Sequence, residues 1–159
     1  MLAQFESAAT TFAHGDRAFD RLVGDFTAQD WAVRDAAGHD PRWIAGHLAA
    51  TRNRAAALMG WPVAGAPWEA AFGRGTSPAD LPADLDMASV LAAFHAAGAA
   101  MASGWEALTV EAMAVPLGRT LPDGSDTVGG AIRFLAWHEA YHLGQLGLLR
   151  RLAGKPGRA

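Results

Sequence analysis

The stretch TVGGAIRFLAWHEAYHLGQLGLLRRL, residues 127–152, decides how this chain folds. Ala131, Leu135, His138, His142, Gln145 and Leu149 recur at alternating spacings of four and three, which draws a single stripe along a helix. Asp126 or Thr127 caps its start, and Gly154 and Pro156 end it. The stripe is apolar except for two imidazoles and one amide. His138 and His142, about 40° apart around the helix, therefore face the interior together.

Three more segments upstream carry the same period, and none shows sustained strand alternation. Phe5, Phe12, Phe19, Val23 and Phe26 mark a first helix over about residues 2–26. Asp40 as N-cap with Pro41 at the first helical position opens a second, running to about Met59 and stopping at Gly60. A third spans about residues 86–108, with Met87, Val90, Leu91, Phe94, Met101 and Trp105 inward. The expected architecture is all-α, a four-helix bundle forming one domain over residues 1–159, with a long loop between helices 2 and 3. That loop, residues 60–84, is rich in Gly and Pro and carries Trp61, Trp68 and Phe72. Part of it is expected to form a short helix after Ser77-Pro78, or the loop forms a lid, and its aromatics either close over a substrate or plug one end of the core.

Composition removes several function classes. With 13 basic and 16 acidic side chains among 159 residues the net charge is −3, and no basic block offers a footprint for a phosphate backbone. No nucleic-acid partner is expected. An apolar share of 51% argues against disorder. Zero cysteines exclude disulfides, thiolate metal sites and a cysteine nucleophile. Residues 1–17 lack a signal-peptide pattern, and the apolar run 90–102 falls short of the ~20 residues of a membrane span. The expectation is a cytoplasmic protein with no membrane partner. No nucleophile elbow, phosphate loop or dinucleotide fingerprint is present, and Gly73-Arg74-Gly75 is only a loop fragment.

On the second helix His47 shares the face of Trp43, Ile44 and Leu58, so three imidazoles point at one core. Burying them without partners costs on the order of 1–3 kcal/mol for each unsatisfied nitrogen. One shared divalent metal would satisfy all three and leave coordination positions open. His95 on the flank of the third helix reads as a satisfied core residue, and His14 and His39 as exposed or in a loop.

His138-Glu139-Ala140-Tyr141-His142 also matches the zinc-protease pattern H-E-x-x-H, with Glu139 as general base. The context is poor: residues 143–159 hold no Asp, Glu or His to supply a third ligand, and no sheet exists to pair with a peptide. A different likeness covers nearly the whole chain. His142-Leu143-Gly144-Gln145 with Arg150-Arg151 beyond it, His138 four residues earlier, and Trp43-Ile44-Ala45-Gly46-His47-Leu48 together resemble the DinB-like family of small four-helix-bundle metalloproteins. The resemblance implies a metal triad of His47, His138 and His142, one zinc or nickel ion, and a homodimer. It also implies an activity on small molecules, such as transfer or isomerisation of low-molecular-weight thiol adducts. Glu139 lies outside that triad and reads as a partly solvated carboxylate beside Leu143 and Leu146.

Around the triad, Asp16 on the inner side of the first helix is a candidate base or hydrogen-bond acceptor for a ligand histidine, or else a rim or surface residue. Glu139 and Gln145 complete the catalytic candidates, Gln145 as an orienter of water or a structural hydrogen-bond partner. Arg54, two turns from His47, is placed to meet an anionic substrate or a partner subunit, or else snorkels past the end of the bundle. Tyr141 borders the ligand face as a substrate contact, or else takes a core or interface position. The pattern fits a metal-dependent transferase or hydrolase; the alternative is a bundle in which the metal only staples the fold or reports metal availability.

Overall fold

The computed structural model describes residues 1–73 and 75–157, so Arg74 at the centre of the Gly73-Arg74-Gly75 fragment lies outside the described residues, as do Arg158 and Ala159. Among the described residues six α-helices follow in order: α1 Glu6–Val23, α2 Ala28–Trp31, α3 Pro41–Leu58, α4 Met87–Gly104, α5 Val110–Met113 and α6 Val128–Leu152. The four long ones, α1, α3, α4 and α6, form the bundle. Their starts are chemical: Asp40 accepts from the Arg42 amide with Pro41 following, Asp86 accepts from Ala88 and Ser89, and Thr127 accepts from Gly130. The short α2 begins on a capping box between Thr27 and Asp30.

The helices pack in the ring α1–α6–α3–α4, so α1 and α3 are diagonal, as are α4 and α6. Cross-contacts fix the directions. Phe5 meets Gly129 and Leu22 meets Gly147, so α1 and α6 run parallel. Phe19 stacks on Phe94 while Phe12 approaches Trp105, so α1 and α4 run antiparallel. Arg52 reaches Glu139 while His47 reaches His142, so α3 and α6 are antiparallel and α3 and α4 parallel. A parallel α3–α4 pair requires the chain to travel back along a helix of 18 residues, about 27 Å, before α4 starts. That return is the long connection.

Instead of hanging free as a lid, the connection lies on the bundle. Trp61 covers Gly104, Trp68 bonds Ser89 at 3.0 Å, Asn53 donates to Glu69 at 2.5 Å, and Phe72 is buried over Gly46. A Cβ at position 46 would sit 2.3 Å from the Phe72 ring, which explains a glycine in mid-helix. The expected turn after Ser77 exists as a 3-10 turn, Pro78–Asp80, and a second one runs Pro67–Phe72. Among the described residues, α4 with its 3-10 extension, Met87–Ala107, is 21 residues long and contains an 18-residue stretch apolar enough for a membrane span, a length and apolarity that a core helix can also reach. The helix is longer than the 90–102 run because small residues carry it on to Gly104. Val90, Phe94, Ala97 and Met101 turn into the bundle.

Two apolar clusters fill the interior, one around Phe12, Met101, Trp105 and Ile132, the other around Phe19, Ile44, Leu48, Phe94 and Leu146. Between them lies a polar layer. Arg52, 1% exposed, donates to Glu139 through Nε at 2.6 Å and Nη2 at 2.7 Å, and to the Phe12 carbonyl at 2.9 Å. It also bonds Asp16 and lies 3.8 Å from the Phe94 ring centroid. Gly15 and Gly98 make the room, since a Cβ at either would strike Glu139 or Arg52 and Asp16. Glu139 is therefore not the partly solvated carboxylate its position beside Leu143 implied; it is 2% exposed. The reason is that α6 buries two stripes, and Ile132, Ala136, Glu139, Leu143, Leu146 and Arg150 form the second. Burial pushes the Glu139 carboxyl up, against the pull of Arg52.

Truncating one member of a buried ion pair leaves the other charge stranded. Glu139→Ala is expected to lower unfolding free energy by about 3 kcal/mol or more, and the paired change Arg52→Met with Glu139→Leu to recover much of it. Denaturant titration checks this; a single-variant loss under about 1 kcal/mol would contradict the buried-pair assignment.

Candidate metal centre

Helix α3 brings His47, and α6 brings His138 and His142, to one point between the two helices. One nitrogen from each lies within 4.8 Å of the others. His138 Nε2 is 3.3 Å from His47 Nε2 and 3.1 Å from His142 Nε2. The spacing of four on α6 sets the second pair, and the antiparallel register of α3 supplies the third ring.

The tautomers follow from the outward contacts. His47 Nδ1 donates to the Phe72 carbonyl at 2.8 Å, because a carbonyl can only accept. His142 Nδ1 donates to Gln145 Oε1 at 2.7 Å. Both Nε2 atoms therefore present lone pairs inward. His138 has one proton for two nitrogens, and its Nδ1 is buried without a partner. If that proton sits on Nε2, Nδ1 is a bare buried acceptor; if it sits on Nδ1, three lone pairs face one another at about contact distance. A cation among the three nitrogens relieves that repulsion, so the donor set fits a divalent metal.

The surroundings favour neutral rings. Burial first, then the neighbouring imidazole, lowers His138 to about 4 and His142 to about 3. His47 is lowered as well, chiefly by burial. Trp43 lies flat on His47, centroids 4.8 Å apart. On one side the centre opens into a cavity of about 480 Å³ whose lining includes His47, His138, Arg54 and Phe134.

The other named residues divide. Gln145 takes the structural role, holding His142, and its amide reaches the Tyr141 hydroxyl at 3.4 Å. Tyr141 borders the centre with its ring edge on His142 but is 54% exposed. Arg54 is exposed at the cavity wall, facing the site instead of passing the bundle end. Asp16 and Glu139 are drawn to Arg52, and neither hydrogen-bonds an imidazole. With both carboxylate oxygens on a guanidinium, Glu139 is not free to serve as the base the H-E-x-x-H match requires. His39 pairs with Asp35 and His14 is exposed. His95 pairs with Asp20 on the surface, not in the core, because it sits one position off the buried face of Phe94.

Sequence reasoning missed Arg52 and the part played by the Phe72 carbonyl, although it singled out the Phe72 ring. Arg52 continues the buried stripe Pro41, Ala45, Leu48, Ala55 and Met59, and a charge on an apolar stripe was its signal. Phe72 acts through its backbone carbonyl, which no side-chain pattern reveals.

A family model for the DinB superfamily matches residues 11–146. The chain belongs to the DinB superfamily. No curated protein matches it significantly. A solved structure with the same fold is YfiT from Bacillus subtilis, described as a probable metal-dependent hydrolase with an unusual four-helix bundle topology. The two chains share 17% identity at a TM-score of 0.70, over 98% of this chain and 91% of that one. At that identity the likeness shows the fold. The ring order of this DinB-superfamily bundle, with consecutive long helices on diagonals at both ends, departs from a simple up-and-down array.

Because the folded pKa values lie below the ordinary value of about 6.5, the unfolded chain binds more protons between about pH 3 and 6.5. Metal-free protein is expected to lose stability as pH falls from 7 to 5. Denaturation midpoints at the two pH values read the loss, and His138→Ala with His142→Ala should flatten the slope; an unchanged slope would show these rings are not the groups responsible.

Proposed function

We propose that this protein is a divalent-metal-dependent enzyme acting on a small molecule, with His47, His138 and His142 holding one zinc or nickel ion. One observation carries the reading: three inward Nε2 atoms, two of them fixed in tautomer by outward hydrogen bonds, stand at the end of a cavity instead of in a sealed core. An ion on three neutral imidazoles keeps its full positive charge and supplies Lewis acidity toward water, a thiol or a carbonyl. The chain's own residues do the positioning. The Phe72 carbonyl holds His47, Gln145 holds His142, and Leu58, Leu117 and Phe134 give the approach an apolar wall.

Hydrolysis is the preferred reaction class, in line with the description given for YfiT. Adduct transfer from a low-molecular-weight thiol would use the same open side, and with no cysteine in the chain that thiol must arrive with the substrate. The reading includes a cytoplasmic homodimer. For the homodimer the support is Trp137, Tyr141, Leu148 and Leu152, which are at least half exposed along one side of α6.

Protein purified without a tag should carry or take up close to one equivalent of zinc or nickel, measured by elemental analysis. Each of His47→Ala, His138→Ala and His142→Ala should abolish uptake, and Gln145→Ala should weaken it about 10–100-fold. No uptake by the parent protein would overturn the metal reading. Metal-loaded protein inert toward both a panel of esters and amides and a panel of thiol adducts would leave the ion as a staple and overturn the enzyme reading.

A further inference from the structure

The cavity beside the three imidazoles has a lopsided charge. Its wall carries Arg54 from α3 and Arg119 from the segment between α5 and α6, and no Asp or Glu contributes to it. Among the described residues neither arginine makes an ion pair, whereas Arg42, Arg52 and Arg150 each engage a carboxylate. Arg54 also lies close enough to the histidines to disfavour their protonation. Apart from the two histidines and Thr51, the rest of the wall is apolar, with Leu58, Leu117, Leu121, Pro122 and Phe134 among its residues.

The Arg119 side of the wall is built, not trailing. Val128 donates to the Val115 carbonyl at 2.9 Å, Leu117 to Asp126 at 2.7 Å, and Leu121 to Ser125 at 2.8 Å, which ties residues 115–128 into a short ribbon. Gly118, at φ +69°, turns the ribbon immediately before Arg119. Leu117, Leu121 and Pro122 of the same ribbon face α3 and α6 across the cavity.

Two guanidinium groups without counter-charge beside an apolar cavity form a site for an oxyanion attached to an apolar body. We propose that the substrate is a small amphipathic anion, its carboxylate or phosphate held between Arg54 and Arg119 and its apolar body against Leu58, Leu121 and Phe134. Its reacting group then lies toward His47 and His138. This rests on the enzyme reading above for the reaction, but not for the binding. At about 480 Å³ the cavity falls in the range of roughly 300–1,000 Å³ usual for small-molecule sites. The pairing of charge and wall predicts discrimination by head group at a fixed apolar body.

The test uses four matched probes, 4-phenylbutyrate, 4-phenylbutyl phosphate, 4-phenylbutanol and 4-phenylbutylamine, titrated by calorimetry into the full chain stripped of metal and again after zinc loading. In metal-free protein at least one anion should bind about tenfold or more tightly than the alcohol, and the amine more weakly than either. The stronger of the two anions identifies the head group. Arg54→Gln and Arg119→Gln should each cut anion affinity about tenfold without touching zinc uptake, while Arg21→Gln, on the exposed face of α1, should change nothing. Equal binding of acid and alcohol, preference for the amine, or anion affinity untouched by both arginine variants would overturn the proposal. So would anion binding that appears only with zinc and survives both variants, since the anion would then sit on the ion alone. The metal-free arm stands even if the chain takes up no metal, so loss of the metal reading and loss of this one give different results.

Discussion

Arg52 touches all four long helices. From α3 its guanidinium donates to Asp16 and the Phe12 carbonyl on α1 and to both Glu139 oxygens on α6, while its plane rests on Phe94 of α4. A cation buried this deeply is unstable unless its donors are matched, and burial does oppose its charge; Glu139 and Asp16 outweigh that opposition. The matching is geometric. A slip of α6 by one residue would swing Glu139 by about 100° and leave the guanidinium uncompensated. The ion pair therefore penalises every register except the one observed.

The metal centre inherits that register. Glu139 follows His138 directly, and Arg52 lies five positions beyond His47, so the contact that aligns Glu139 with Arg52 also aligns His138 and His142 with His47. The acidic residue that imitates a protease base thus holds the ligands in place from behind. The crossover adds the second control. Its Phe72 ring docks on Gly46, and that docking brings the Phe72 carbonyl to His47 Nδ1, fixing which nitrogen faces the centre. A connection demanded by the parallel α3–α4 pair serves as the outer support of a ligand.

Helix identity and the three inward imidazoles were legible because each rests on local information: a cap at Asp40-Pro41, a stripe through Ala131 and Leu149, a spacing of four between histidines. Long-range arrangement was not. A hydrophobic stripe says that a face is buried but not which helix buries it, so the diagonal placement of α1 and α3 leaves no local trace. Glu139 was misread for the same reason. Arithmetic on one stripe put it at the edge, whereas α6 sits between α1 and α3 and buries a second stripe. Arg52 carried a readable signal, a charge at a core position, but its partners lie 36 and 87 residues away and only the fold brings them together.

The same separation of local and long-range information bears on how the site works. The three ring nitrogens are held from the protein side by contacts that do not reach the cavity: Phe72 behind His47, Gln145 behind His142, and the Arg52 pair behind α6. His47 and His138 line the cavity, so one edge of the triad is open to approach from it. That edge carries two arginines without an ion pair among the described residues, Arg54 and Arg119, and is where charge and apolar wall meet. Support and access thus occupy opposite sides of one cluster. A change on the supporting side should disturb ligand geometry whatever the substrate, while a change on the open side should alter which molecules enter and leave the triad intact.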